Sequence, residues 1–167
     1  KIRKYISDVP TGLIPLDKIR TVNVVIDVEE TGFDLLKEDI LAWGRQNGVK
    51  VSIYFFDFRK LGKDELLLTS IDTTILKKDL NWLGAPDFSK IFNLVHEPSD
   101  LFISMIDNGS FPIEFVSKCA KAGFKIGRCG FKGHAYDMVM VNKPEEDLKA
   151  DSRVLFSAIT EMLTKIR

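Results

Sequence analysis

Residues 100–130 read DLFISMIDNGSFPIEFVSKCAKAGFKIGRCG, and this stretch decides the fold class. An apolar run over residues 101–106 stops at a group of small polar residues. Apolar residues at helical spacing follow, and a second apolar run begins at residue 124. Strand, turn, helix and strand in this order form one βαβ unit, which predicts a parallel sheet covered by helices.

Further apolar runs extend this unit into a larger sheet. Residues 21–28 and 51–58 are rich in β-branched and aromatic side chains, almost without polar interruption. This composition is typical of central parallel strands, which are buried on both faces. With shorter runs at 73–76 and 136–141, we expect a single-domain three-layer α/β/α sandwich. Its sheet has five to six strands, is mainly parallel, and is Rossmann- or flavodoxin-like.

Apolar residues at helical spacing predict four helices beside these strands. Thr31 is placed to cap the first helix, and Gly48 supplies the left-handed residue that ends it. A short helix is predicted over residues 86–94, and the helix after the 101–106 run is predicted to end at Gly123. A last amphipathic helix is predicted to begin at Pro144.

Length and composition indicate one globular domain. A chain of 167 residues with 45% hydrophobic and 29% charged residues is of ordinary size and composition for such a domain. We expect residues 1–20 to form an N-terminal extension that packs on a single α/β domain of residues 21–167. The chain begins with Lys1 rather than Met, so we expect residues to have preceded it.

Charge and cysteine content exclude several classes of protein. Lys+Arg and Asp+Glu both total 24, so the basic excess of a nucleic-acid-binding protein is missing. No run approaches the 18 apolar residues of a membrane span. Cys119 and Cys129 belong to no CxxC pair, so we expect no zinc site and two reduced thiols in a cytoplasmic protein, with a disulfide as the alternative.

Acidic side chains follow three of the predicted strands. These are Asp27 with Glu29 and Glu30, Asp57, and Asp107, which is followed by Asn108, Gly109 and Ser110. Ligands of open α/β sheets bind at the carboxyl ends of the strands, so these residues could hold Mg²⁺ or a polar ligand there. The alternative is that the acids cap the next helices and remain solvated.

Three other features suggest chemistry without completing a site. Residues 27–31 resemble the Asp-x-Asp-x-Thr loop of haloacid-dehalogenase-type phosphatases, but Glu29 replaces the second Asp and the later partners are missing. The glycine-rich loop around Arg128 and His134 could cradle an anion, or could be a mobile connection. Trp82 lies in a polar loop as a lid over a pocket or, in the favoured interpretation, as an anchor that packs the loop down.

Five segments resemble a family of short bacterial proteins of unknown function. They are Val-Val-Ile-Asp at 24–27, Lys-Lys-Asp-Leu-Asn-Trp-Leu-Gly at 77–84, Asp-Leu-Phe-Ile-Ser at 100–104, Lys-Ile-Gly at 125–127 and Asp-Met-Val-Met-Val at 137–141. The similarity spans about residues 18–166 and implies a Rossmann-like fold without a mechanism. Residues 100–127 also look like one βαβ unit of the N-terminal domain of heptosyltransferase-type glycosyltransferases, which implies a sugar- or nucleotide-related role.

These observations leave three hypotheses about function. In the first, a small polar or anionic ligand binds at the carboxyl rim of the sheet, where Asp27, Asp107, Asn108 and Ser110 contact it and Trp82 covers it. In the second, the protein is an interaction module that forms a homodimer through exposed apolar helix faces. In the third, it is an enzyme acting on phosphate or sugar substrates. The sequence identifies no cofactor and no metal ligands.

Overall fold

The computed structural model describes residues 2–62, 66–141 and 151–167. Its centre is a six-stranded sheet in the order β3-β2-β1-β4-β5-β6, in which every neighbouring pair is parallel. This arrangement confirms the predicted α/β fold class. The strands are β1 Thr21–Asp27, β2 Lys50–Asp57, β3 Thr74–Leu76, β4 Ser99–Ser104, β5 Ala122–Gly127 and β6 Met138–Val139.

The strand order puts a topological switch point between β1 and β4. From β1 the chain adds β2 and β3 on one side, then crosses back to add β4, β5 and β6 on the other. β1 pairs with β2 over Thr21–Asp27 and with β4 over Val22–Val25. Its residues contribute to the cores on both faces of the sheet, which explains why both of its faces are apolar. This is the order of Rossmann folds, which bind ligands in the crevice at the switch point.

Four α-helices cover the two faces of the sheet, which makes three layers. One core packs α1 and α4 against β1, β2, β4 and β5, and the other packs α2 and α3 against the opposite face. None of the helices in the described part of the chain is long and apolar enough to cross a membrane. The helices are α1 Phe33–Asn47, α2 Phe92–His96, α3 Phe111–Cys119 and α4 Ser152–Lys165.

Several predicted helix ends were wrong. Thr31 does not cap α1, because the N-cap is Gly32, whose left-handed backbone (φ 81°) makes the turn without a side-chain cap. The helix predicted over residues 86–94 forms only from Phe92 onwards. α3 stops at Cys119, and Gly123 already belongs to β5. Gly48 does end α1 in the left-handed conformation, as predicted. The predicted helix start at Pro144 lies outside the described residues.

The segment before β1 lies against α3 and β5. Its backbone donates hydrogen bonds from Ser7 to the Lys118 carbonyl (3.0 Å) and from Gly12 to the Gly123 carbonyl (2.9 Å). The ring of Tyr5 approaches two phenylalanines of the α2–α3 face, with centroid distances of 4.7 and 6.2 Å. These contacts bring the N-terminal segment to one edge of the groove described below.

Candidate functional site

The acids that end β1 and β2, Asp27 and Asp57, have opposite electrostatic environments. Asp57 is buried, and the Arg59 guanidinium binds both of its oxygens at 2.8 Å, which lowers the pKa of this carboxyl. Asp27 is half-buried and accepts a hydrogen bond from the Glu29 backbone (2.9 Å). Burial, with a smaller contribution from the nearby Asp57 charge, raises the pKa of Asp27. Asp27 is therefore the more easily protonated of the two.

Arg128 joins the loops at the switch point. It follows β5, is only 5% exposed, and donates hydrogen bonds to the Met105 carbonyl (3.2 Å) and the Ser152 hydroxyl (2.7 Å). Its guanidinium also lies 3.9 Å from the Glu30 carboxylate and 3.6 Å from that of Asp107. The Ser152 hydroxyl donates to Glu30. Arg128 is thus engaged with protein groups, although its Nε has no partner among the described residues.

The polar turn after β4 is held by its own side chains. Asn108 accepts a hydrogen bond from the Ser110 backbone (3.0 Å), and Asp107 is an ion-pair partner of Arg128. All three side chains are exposed. Asn108 therefore serves the local turn, and Asp107 stays exposed to solvent, as the alternative for the acids after the strands expected.

A shallow depression of about 680 Å³ lies at the carboxyl end of β1 and the start of α1. Three carboxylates and one guanidinium contribute its charges, and that guanidinium, of Arg59, already binds Asp57. Such a lining favours a cation or a neutral polyol over an anion. The depression is lined by Val28, Glu29, Glu30, Thr31, Gly32, Phe33, Asp34, Arg59 and Leu68, and neither Asp27 nor Asp107 is among them.

A larger groove of about 970 Å³ lies on the α2–α3 face, and we call it the aromatic groove. Three segments far apart in the sequence meet in it: the N-terminal segment, the loop that follows β3, and the first two turns of α3. It is lined by Tyr5, Lys78, Asp79, Leu80, Asn81, Leu83, Ala85, Pro86, Asp87, Phe88, Phe111 and Phe115.

The loop of residues 77–87 forms one wall of this groove and is held by Asn81. The Asn81 side chain accepts hydrogen bonds from the backbone of Leu83 (2.9 Å) and of Ala85 (3.0 Å). Gly84, between them, has φ 86°, and a Cβ there would lie 3.3 Å from the Phe111 ring. Both the backbone conformation and this close approach favour glycine at position 84. The loop is therefore shaped largely by its own backbone and the Asn81 side chain.

Aromatic rings in tilted and edge-on contacts form the floor. The ring centroids of Tyr5 and Phe88 are 4.7 Å apart, those of Phe88 and Phe115 are 6.0 Å apart, and those of Phe111 and Phe115 are 6.1 Å apart. These separations are in the favourable range for aromatic pairs. The floor is a packed aromatic surface, and Tyr5 and Phe111 remain partly open to solvent.

Trp82 does not anchor its loop, so the favoured sequence interpretation was wrong. Its side chain is 91% exposed, because the Asn81 hydrogen bonds already hold the loop. It is not among the residues that line the aromatic groove, although both of its neighbours are. Asp27, Asp107 and Trp82 therefore share neither the groove nor the acidic depression.

The glycine-rich loop after β5 is fastened to the N-terminal segment. His134 Nε2 lies 3.2 Å from both the Thr11 hydroxyl and the Asp137 carboxylate, and Thr11 donates to Asp137 at 2.7 Å. Thr11 and Asp137 both contact Nε2 of His134, whereas a catalytic relay has its two partners on different ring nitrogens. The three residues therefore do not form such a relay. Across residues 2–62, 66–141 and 151–167, no three His, Cys, Asp or Glu residues are grouped as a metal site requires. Both cysteines are free thiols.

Comparison with known families identifies the chain as a member of DUF6913, a family of unknown function, whose model matches residues 1–157. Searches of curated proteins and of solved structures found no match. Membership agrees with the resemblance seen in the sequence and adds no activity, ligand or partner.

Proposed function

We propose that this DUF6913 protein is a binding module, and that the aromatic groove receives an aromatic or aliphatic group of its ligand. The observation that carries the proposal is the groove itself. It is a concave surface of about 970 Å³ with four aromatic side chains in its lining. Binding sites are typically concave and mostly apolar, with a few polar groups that orient the ligand.

The chemistry of the lining favours binding over catalysis. Among the described residues that line the groove there is no cysteine, histidine, serine or threonine. Asp79 accepts a hydrogen bond from the Leu76 backbone (2.8 Å) and lies 3.8 Å from the Lys90 ammonium. The carboxylate of Asp79 is thus engaged in shaping the loop, and that of Asp87 accepts a hydrogen bond from the Ser89 backbone (2.9 Å), so both acids of the lining serve the local fold.

Charged residues at the edge of the groove indicate which polar groups the ligand has. Lys78 and Asp87 are exposed and of opposite sign. A ligand with an apolar ring and a polar amide or zwitterionic end would satisfy both the floor and this edge. Protein side chains such as Trp, Tyr and Phe, presented on a backbone, have this combination.

The acidic carboxyl rim of the sheet supports a second candidate. There a small polar ligand would contact Asp27, Asp107, Asn108 and Ser110, as expected from the sequence. The raised pKa of the half-buried Asp27 is the observation that favours it, since perturbed carboxyls cluster at functional sites. The excess of carboxylates makes a cation or a sugar-like polyol a better ligand than an anion. The likeness of residues 100–127 to one unit of glycosyltransferases implies a sugar- or nucleotide-related role.

An NMR titration with N-acetyltryptophanamide tests the first proposal. We expect amide shifts of the ¹⁵N-labelled protein to change at residues 78–88 and 111–115. Leu83→Asp should abolish the change, because it places a charge in the groove wall. Leu35→Asp is the matched control, since Leu35 on α1 is as exposed as Leu83 (49% against 51%) and lies outside the groove. Shifts confined to the acidic rim, or none at millimolar probe, would contradict the proposal.

A further inference from the structure

We propose that the group received by the aromatic groove is Trp82 of a second copy of this chain, in a two-fold symmetric exchange. This inference rests on the proposed function of the groove and names its partner. Trp82 is 91% exposed on the loop that forms the groove wall, directly between two residues that line the groove. The protein thus presents a projecting indole beside an aromatic recess.

The adjacency of indole and recess fits two-fold symmetry. An isologous interface uses the same patch on both subunits. If residue i of one copy contacts residue j of the other, residue j of the first copy also contacts residue i of the second. A projecting side chain and its recess on neighbouring residues meet that condition. When two copies face each other, each Trp82 can enter the other's groove, and two indoles are buried by one interface.

The size and composition of the patch agree with an indole as the occupant. The groove of about 970 Å³ is in the range of sites that enclose whole small molecules, so an indole and neighbouring atoms fit. Leu83 and Phe111 are exposed apolar side chains of the groove lining and would be covered in the same contact. Tryptophan seated centrally in a pocket is a common source of binding energy at interfaces.

The charges allow a second copy to approach. The chain has 24 basic and 24 acidic residues, so two copies do not repel each other through net charge. The groove edge carries Lys78 together with Asp87. An edge with charges of only one sign would repel the same edge of a second copy. A mixed edge is self-complementary, which favours a second copy over a strongly charged partner.

Sedimentation equilibrium of the full chain at 1–200 µM tests the exchange. We expect a monomer–dimer equilibrium for the wild type and, for Trp82→Ala, a dimer Kd raised by about 100-fold or more, because two central tryptophans are lost per dimer. Leu66→Ala, at an exposed leucine (86%) outside the groove, should leave the Kd unchanged. A monomeric wild type, or a Trp82→Ala protein that still dimerises as the wild type does, would overturn the inference.

Mixing two defective variants tests the exchange geometry. Phe111→Asp damages the groove while leaving Trp82, and an acid in the first turn of α3 is compatible with the helix dipole. Each variant alone should be mostly monomeric at concentrations where the wild type dimerises. Their mixture should form heterodimers, because the Trp82 of one can still enter the intact groove of the other. Two monomeric variants that do not associate when mixed would overturn the exchange.

The two proposals fail separately in these experiments. If Trp82→Ala protein binds N-acetyltryptophanamide at the groove while the wild type is monomeric, the groove is a binding site and the second copy is not its partner. If neither the probe nor a second copy occupies the groove, the proposed function fails as well.

Discussion

Replacing Lys125 by Met should change how the stability of the protein depends on pH. Lys125 lies on β5, is 4% exposed, and donates a hydrogen bond from its ammonium to the Ser117 carbonyl of α3 at 2.9 Å. Burial outweighs the opposing influence of Cys119 and Asp137 and lowers the pKa of this lysine from 10.5 to about 8. Met has similar length and no charge, so it removes the titration while filling the space.

The sign and size of the effect follow from proton linkage. Between about pH 8 and 10.5 the unfolded chain binds the lysine proton and the folded protein releases it, so the wild type gains stability as the pH rises. The whole gain is about 3 kcal/mol, of which about 1 kcal/mol falls between pH 7 and 9. The lost hydrogen bond to the Ser117 carbonyl costs the variant about 1–3 kcal/mol at every pH, so only the pH dependence isolates the charge.

Urea unfolding at pH 7, 8 and 9 measures this difference directly. The free energy of unfolding of the wild type minus that of Lys125→Met should increase by about 1 kcal/mol over this range. Lys77→Met, at an exposed lysine, controls for the loss of one positive charge. A difference that stays constant from pH 7 to 9 would refute the assignment of Lys125 as a buried, destabilised ammonium.

Three further predictions concern the rim and the packing beneath it. Arg128→Ala should cost about 2–4 kcal/mol and lower Tm by roughly 5–15 °C in calorimetry, because buried hydrogen bonds and ion pairs lose their donor. Gly127→Ala should cost about 3 kcal/mol in urea unfolding, since its Cβ would overlap the Tyr136 ring. Tyr136→Ala should cost less in that background than in the wild type. Asp27→Asn should raise Tm slightly at pH 7, because burial and the Asp57 charge disfavour the charged carboxyl in the folded protein. This advantage should vanish below about pH 3.8, where Asp27 is protonated in both the folded and the unfolded wild type.

The fold class was predictable because a strand buried on both faces has a nearly continuous apolar sequence. β1 and β4 are covered on both faces, so their apolar residues run almost without interruption and can be recognised locally. The order of the strands in the sheet leaves no such local pattern in the sequence. Helix ends were less predictable, because the glycine at position 32 could make the turn that the side chain of Thr31 was expected to make.

The aromatic groove was not predictable, because its walls come from distant segments. Tyr5, Phe88 and Phe111 lie far apart in the sequence, and only the packing of the α2–α3 face brings them together. Trp82 was expected to be buried because large aromatics usually are. The side chain of Asn81 holds the loop by its hydrogen bonds, so the loop does not need a buried tryptophan. The sequence signal for this turn was Asn81 and Gly84, which flank Trp82 and Leu83.

Photo-crosslinking from position 82 shows whether the aromatic groove receives an aromatic side chain of a second copy. Trp82 is replaced by a benzophenone amino acid in an equal mixture of ¹⁴N- and ¹⁵N-labelled chains, and crosslinked peptides are identified by mass spectrometry. We expect mixed-isotope crosslinks from position 82 to residues 78–88 or 111–115. Crosslinks found only within one molecule, or directed between copies to any other surface, would contradict this expectation.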